Sequence, residues 1–147
     1  MDLGLAIIGN IDQKKTDLIV KLSDEMKVYF RNKTYGSDIK AYTIGIVCVA
    51  PQFAQFFKAQ KPKYTKGKKV INPDGIPFTL EDSFEHSIKL DFETFKNSSE
   101  VEAKKYLAQE ILKSLDIIET MKAKIKDFDL INFKRDLESY FKEKNLI

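Results

Sequence analysis

The sequence KKVINPDGIPFTL, residues 68–80, decides the fold class because it has the features of a β-hairpin. Pro73 presets φ at the second position of the turn, and Gly75 accepts the left-handed conformation at the fourth. A turn of this kind between two short runs of strand-forming residues is typical of a hairpin with a bulge. We therefore predict that residues 62–71 pair with residues 76–80 in an antiparallel sheet.

Three more strands are predicted around the hairpin. Residues 84–92 alternate apolar and polar side chains, as in a strand with one buried and one solvent-exposed face, and we expect this strand to lie beside the hairpin. Residues 41–50 are rich in Ile and Val and predict another strand. Residues 3–9, LGLAIIG, are apolar on both faces, which predicts a central strand covered by helix on at least one side.

A helix is predicted between the first two strands, since apolar residues recur there every three or four positions. Either Asp12 or Thr16 can cap this helix, which should end near Asn32. Pro51 stops the second strand, and the segment that follows it is compatible with a loop or a single helical turn. The pattern leaves open whether three aromatic side chains of that segment are buried or exposed: Phe53, Phe56 and Phe57.

The last third of the chain is predicted to form two helices. Ser98 or Ser99 can cap the first, and Glu102 occupies the position of a capping-box acid. The second helix begins after Asp127 or Asp129. The resulting order, β-α-β-β-β-β-α-α, predicts an α+β fold in which a mainly antiparallel sheet of about five strands packs against helices.

Length and composition predict one domain spanning residues 1–147, because domains usually contain ~100–200 residues and 43% of this chain is hydrophobic. The 25 basic and 22 acidic residues leave a net charge of +3, too small to indicate a polyanionic partner by itself. The N-terminal segment lacks the basic residues of a signal peptide, and the apolar runs are too short to span a bilayer. We therefore predict a cytoplasmic protein without a membrane segment.

Residues 51–69 carry six lysines and no acid, and they allow two interpretations. Lysines set among Tyr64 and several phenylalanines could bind phosphates and stack bases, as in a small nucleic-acid-binding module. Alternatively, the lysines face water and lie beside the eight acids of residues 73–102, so that opposite charges on neighbouring strands largely cancel at a distance. The second interpretation is favoured, so nucleic acid is not the expected partner. The lysines are Lys58, Lys61, Lys63, Lys66, Lys68 and Lys69.

The sequence predicts no catalytic, cofactor or metal site. His86 falls on the apolar side of its strand, where a lone histidine is usually a core residue. A Cys48–His86 nucleophile and base pair is disfavoured because the thiol lies in an apolar run. Acid pairs such as Glu81 and Asp82 match neither a calcium loop nor a glycosidase pair. The six glycines form no nucleotide-binding motif, which favours a binding protein over an enzyme.

Residues 56–95, FFKAQKPKYTKGKKVINPDGIPFTLEDSFEHSIKLDFETF, followed by the helical run VEAKKYLAQEILKSL, resemble one of the small α+β immunity-protein families of bacterial polymorphic toxin systems. The resemblance lies in the overall pattern and extends over about residues 3–141. It implies a non-enzymatic cytoplasmic protein that binds a cognate toxin tightly and blocks it.

This role would require a rigid surface with charge complementarity and a few apolar or aromatic anchors. An acidic rim could meet a basic toxin such as a nuclease, although the net charge of +3 departs from the strongly acidic inhibitors expected for nucleases. Phe78 and the phenylalanines of residues 53–57 are further candidate anchors. An open sheet edge could also support a homodimer. The candidate partner-binding residues are Glu81, Asp82, Glu85, Asp91, Tyr64 and Lys66.

Overall fold

The computed structural model describes residues 1–9, 11–36, 39–121 and 127–147. A short 3₁₀ helix, Pro51–Phe56, follows the second strand. The described strands are β1 (Asp2–Ile8), β2 (Ile39–Val47), β3 (Lys63–Thr65), β4 (Lys68–Ile71), β5 (Pro77–Leu80) and β6 (Asp82–Lys89). The described α-helices are α1 (Gln13–Phe30), α2 (Phe92–Asn97), α3 (Glu100–Glu119) and α4 (Leu130–Glu143).

Four strands form a mixed sheet in the order β1-β2-β6-β3, in which β1, β2 and β6 are parallel and β3 is antiparallel to β6. The α+β class is confirmed, but the predicted mainly antiparallel five-stranded sheet is wrong. The long connection after β2 returns the chain so that β6 runs in the same direction beside β2. This pairing places Tyr42 next to Phe84 and Ile44 next to His86, and all four side chains are buried.

The predicted hairpin and its turn are confirmed, but the predicted position of the hairpin beside residues 84–92 is wrong. β4 pairs antiparallel with β5, and the two strands form a separate sheet. The predicted strand 62–71 is divided at Lys66 and Gly67, and β6 lies beside β3 and β2 rather than beside the hairpin. Space at the division is tight, because a Cβ atom on Gly67 would lie 2.2 Å from the carbonyl oxygen of Leu80.

β1 is an edge strand, which corrects the prediction that residues 3–9 form a central strand. Helix α1 packs against β1, and the Leu5 amide donates a 2.9 Å hydrogen bond to Ser23 Oγ of α1. Leu3 is fully buried, whereas Ala6 is exposed. The apolar pattern therefore reflects cover by a helix rather than a strand on each side.

Helices α1, α3 and α4 pack against one another and against the sheet. Phe133 of α4 contacts Tyr42 of β2 with ring centroids 5.3 Å apart, and Phe30 of α1 with centroids 5.8 Å apart. On the opposite face of the sheet, Thr43 and Glu85 are half-buried. Among the described residues, no helix has both the length and the apolar character needed to cross a membrane.

The structure shows one capping residue at each helix start for which the sequence offered two candidates. Asp12 caps α1, Ser99 caps α3 in a capping box with Glu102, and Asp129 caps α4. Helix α2 was not predicted, because the alternation of residues 84–92 extends past the end of β6 at Lys89.

Candidate protein-binding surface

The β4–β5 hairpin is exposed to solvent on both faces. All four residues of β5 are exposed, and the exposed fractions of Ile71, Phe78 and Leu80 are 74%, 45% and 46%. The strand register places Lys68, Val70, Phe78 and Leu80 on one face. We call this set the apolar face of the hairpin. Lys69, Ile71, Pro77 and Thr79 lie on the other face.

The turn of the hairpin holds itself in shape. The Gly75 amide donates to the carbonyl of Asn72 over 2.9 Å, and the Asn72 amide donates to the carbonyl of Ile76 over 3.0 Å. The Asn72 side chain also accepts a 2.8 Å hydrogen bond from the Ile76 amide. Gly75 has φ +77°, the left-handed conformation that the sequence predicted for it. Hydrogen bonds between neighbouring residues therefore fix the conformation of the turn.

Asp82 ties the base of the hairpin to the four-stranded sheet. Its Oδ2 accepts a 2.5 Å hydrogen bond from the hydroxyl of Tyr64, and its Oδ1 accepts a 2.5 Å hydrogen bond from the amide of Gly67. These two donors, the Tyr64 hydroxyl first, lower the pKa of the Asp82 carboxyl. Asp82 thus links β3, the β3–β4 connection and the start of β6.

Four of the six predicted partner-binding residues come together at this base: Tyr64, Lys66, Glu81 and Asp82. Glu85 lies further along β6, opposite Lys63 of β3. Asp91 lies beyond the far end of β6, a strand of 8 residues, and so more than about 20 Å from Asp82 at ~3.3 Å per residue. There the Asp91 carboxylate caps α2 by accepting a 2.8 Å hydrogen bond from the Thr94 amide, which lowers the pKa of Asp91.

The six lysines of residues 58–69 are all exposed, which both interpretations of this segment require. Lys63 lies opposite Glu85, but Lys68 and Lys69 lie opposite Leu80 and Thr79. Among the described residues, the ion pairs within 4.0 Å include none of the six. The predicted placement of lysines beside acids on a neighbouring strand therefore holds for Lys63 and Glu85, without an ion pair, and does not extend to the hairpin.

Two exposed apolar groups lie outside the central sheet. One consists of Phe53 and Phe56 of the 3₁₀ helix, with exposed fractions of 50% and 70%, whereas Phe57 is half-buried; the sequence named these phenylalanines as candidate anchors but left their exposure open. The other comprises the aliphatic side chains of the hairpin, which the sequence patterns did not identify, since Phe78 was the one hairpin residue in β4 or β5 named as an anchor. The available signal was the lack of apolar and polar alternation along β5, because a strand with one buried face would alternate.

His86 and Cys48 lie in the interior, as the pattern predicted. Burial lowers the pKa of His86 to about 4, and its Nδ1 lies 3.4 Å from the hydroxyl of Tyr42. Burial likewise raises the pKa of the Cys48 thiol to about 11. His86 pairs in register with Ile44, four positions before Cys48, which separates the two by about 13 Å along the sheet. This arrangement does not form a nucleophile and base pair.

Cys48 borders a small apolar cavity of about 60 Å³ together with Ile11, Phe92 and Phe95. Within the part of the chain that the structure describes, no three His, Cys, Asp or Glu side chains are grouped so that they could hold a metal ion.

The family model described as immunity protein 44 matches residues 1–143 of the chain. No curated protein and no solved structure matches the chain.

Proposed function

Because the chain belongs to the immunity protein 44 family, we propose that it binds and neutralises a cognate bacterial toxin domain. In this proposal the protein acts in the cytoplasm of a bacterium that carries a polymorphic toxin system. It blocks the toxin by occupying a surface that the toxin needs, and it catalyses no reaction itself. The family match carries the proposal.

An exposed surface with apolar side chains supports this role. Interfaces between proteins place apolar and aromatic anchors inside a polar rim. The hairpin offers Phe78 and Leu80 as anchors, and a rim of charged residues at its base: Lys66, Glu81 and Asp82. We propose that Lys66, Glu81 and Glu85 contact the toxin directly, and that Tyr64 and Asp82 hold this surface in position. Asp91 is the candidate most distant from the others and would require a second contact.

Co-expression with the product of the adjacent open reading frame tests the proposal. We expect the neighbouring product alone to stop growth, and co-expression of this chain to restore growth and to yield a 1:1 complex on purification. A harmful neighbour that this chain neither binds nor neutralises would contradict the proposal.

The lysines support a second candidate function, a small nucleic-acid-binding module. All six are exposed, and none belongs to an ion pair among the described residues. This alternative predicts filter binding of RNA or DNA that weakens as salt is added and when Lys66, Lys68 and Lys69 are changed to alanine. Absence of binding at low salt would exclude it.

A further inference from the structure

The β4–β5 hairpin carries apolar side chains that its own fold does not cover. A two-stranded hairpin is marginally stable at best in water unless another element packs on one of its faces. In this chain the hydrogen bonds of Asp82 hold the hairpin at its base, while Phe78 and Leu80 stay about half exposed. Exposed apolar residues that lie together, with charged residues around them, are typical of interaction surfaces.

The two faces of the hairpin differ in chemistry. The apolar face places Val70, Phe78 and Leu80 side by side, with Lys68 at its end near the sheet. On the opposite face, Lys69 and Thr79 accompany Ile71 and Pro77, so no aromatic side chain is present there. Because binding energy concentrates in aromatic and apolar anchors that pack together, the apolar face is the better docking surface.

Charge indicates what kind of partner this face fits. Residues 58–80 contain six lysines and one acid, Asp74 at the turn. The lysines of the hairpin are exposed and opposite uncharged residues. A partner with acidic groups around an apolar cleft would complement this surface, and its attraction to the lysines would speed the encounter.

Resting on the proposed function, we infer that the apolar face of the hairpin is the part of the chain that enters the toxin, and that it docks into an apolar cleft with an acidic rim. The side chains that carry this contact are Lys68, Val70, Phe78 and Leu80. Glu81 and Glu85, which the proposed function also places against the toxin, would contact it outside the acidic rim of this cleft.

Matched substitutions in the 147-residue chain test this inference. The measurement is the affinity for the toxin domain encoded by the adjacent open reading frame. Phe78→Ser on the apolar face should raise Kd by about tenfold or more, the loss typical of an interface anchor. Ile71→Ser, on the other face of the same hairpin, should change Kd by less than about twofold. Circular dichroism should show that both variants keep the wild-type fold, since both side chains are exposed.

Charge reversal tests the chemistry of the partner. Lys68→Glu should slow association and reduce its dependence on salt, whereas Lys105→Glu, an exposed lysine on α3, should leave the rate unchanged. Faster association of the Lys68→Glu variant would show that the toxin surface is basic and would overturn the inference.

Other outcomes would identify a different occupant or a different surface. If the wild-type chain binds and protects but Phe78→Ser does so equally well, or if Ile71→Ser is the more damaging change, the inference fails while the proposed function stands. Failure of the wild-type chain to bind or protect removes both. A wild-type dimer in sedimentation that Phe78→Ser dissociates would make a second copy the occupant. Binding of RNA or DNA at low salt that Phe78→Ser abolishes would make nucleic acid the occupant.

Discussion

Asp82 shows how one side chain can position a whole surface. Both of its carboxylate oxygens accept hydrogen bonds, from Tyr64 and Gly67. These partners lie 18 and 15 residues away in the chain, so the sequence presented Asp82 as one acid in an acidic segment. Its part in fixing the hairpin depends on the folded path of the chain and could not be predicted from local pattern.

We expect Asp82→Ala to loosen the hairpin without unfolding the sheet. Hydrogen bonds to a charged group contribute about 1.5–3 kcal/mol each when buried and less near solvent, so the hairpin should lose roughly 1–2 kcal/mol of local stability. Hydrogen exchange of the β4 and β5 amides should then accelerate about tenfold, with the β2 amides unchanged. Glu81→Ala is the control, since the Glu81 side chain is exposed and makes no hydrogen bond or ion pair among the described contacts. Equal acceleration in both variants would contradict the role of Asp82.

His86 should make the folded state sensitive to mild acid. Its pKa is lowered by burial from 6.5 to about 4, so the unfolded chain binds the proton more readily than the folded chain between these values. The contribution of neutral His86 to the free energy of unfolding should therefore be fully present above pH 6.5. It should fall as the pH decreases toward 4, by up to about 1.4 kcal/mol per pH unit and about 3 kcal/mol in total.

The variant His86→Leu removes this titration, and the chain has no other histidine. Denaturant unfolding at several pH values should show a flatter profile for the variant between pH 6.5 and 4. The carboxyls whose pKa is lowered lose their stabilising contribution at more acidic pH: Asp82, Asp91 and Asp129. An unchanged slope in His86→Leu would mean that other groups control the acid response.

At the scale of elements, the sequence predicted those turns and helix caps whose formation depends on residues close together in the chain. The hairpin turn requires Pro73 and Gly75 at fixed positions, and the capping box requires Ser99 and Glu102 three positions apart, so both could be read locally. The parallel pairing of β6 with β2 joins segments separated by a long connection, and alternation of side chains does not specify strand direction. The candidate surface was predicted only in part for the same reason. Both faces of the hairpin are exposed because β6 pairs with β2 and β3 instead of with the hairpin, and local pattern does not specify that pairing.

Helix α3 offers a test of the choice between two adjacent serines. The Ser99 hydroxyl accepts a 3.2 Å hydrogen bond from the Glu102 amide, while the Ser98 hydroxyl, just after the end of α2, donates to the carbonyl of Thr94 within that helix. Ser99→Ala should lower the free energy of unfolding by about 1 kcal/mol and Tm by roughly 2–4 °C. Ser98→Ala should have a smaller effect in the same thermal scan. A larger decrease in Tm for Ser98→Ala than for Ser99→Ala would show that the hydrogen bond of Ser98 to Thr94 stabilises the fold more than the Ser99 cap of α3.

At the scale of the whole molecule, we expect the four-stranded sheet and the hairpin to differ in local stability. In the sheet, β2 and β6 have a strand on each side, and their inner side chains are buried against the helices. The hairpin has one pair of short strands, exposed side chains and, at its base, the two hydrogen bonds that the Asp82 carboxylate accepts. Its strands should therefore open by local fluctuation, whereas the sheet opens with the molecule.

Hydrogen exchange should separate these two levels. We expect the amides of β4 and β5 to have protection factors at least about 100-fold smaller than those of β2 and β6, because a marginal hairpin opens at low cost while the central strands exchange close to global unfolding. Raising denaturant should accelerate exchange in β2 and β6 strongly and in the hairpin only slightly, since local opening exposes little surface. On adding the toxin domain, protection should rise in the hairpin first, because docking covers a face that is partly exposed in the free chain. Equal protection of the hairpin and central strands in the free protein would show that the hairpin is stabilised within the chain itself, which would remove the physical reason for expecting a partner to cover it.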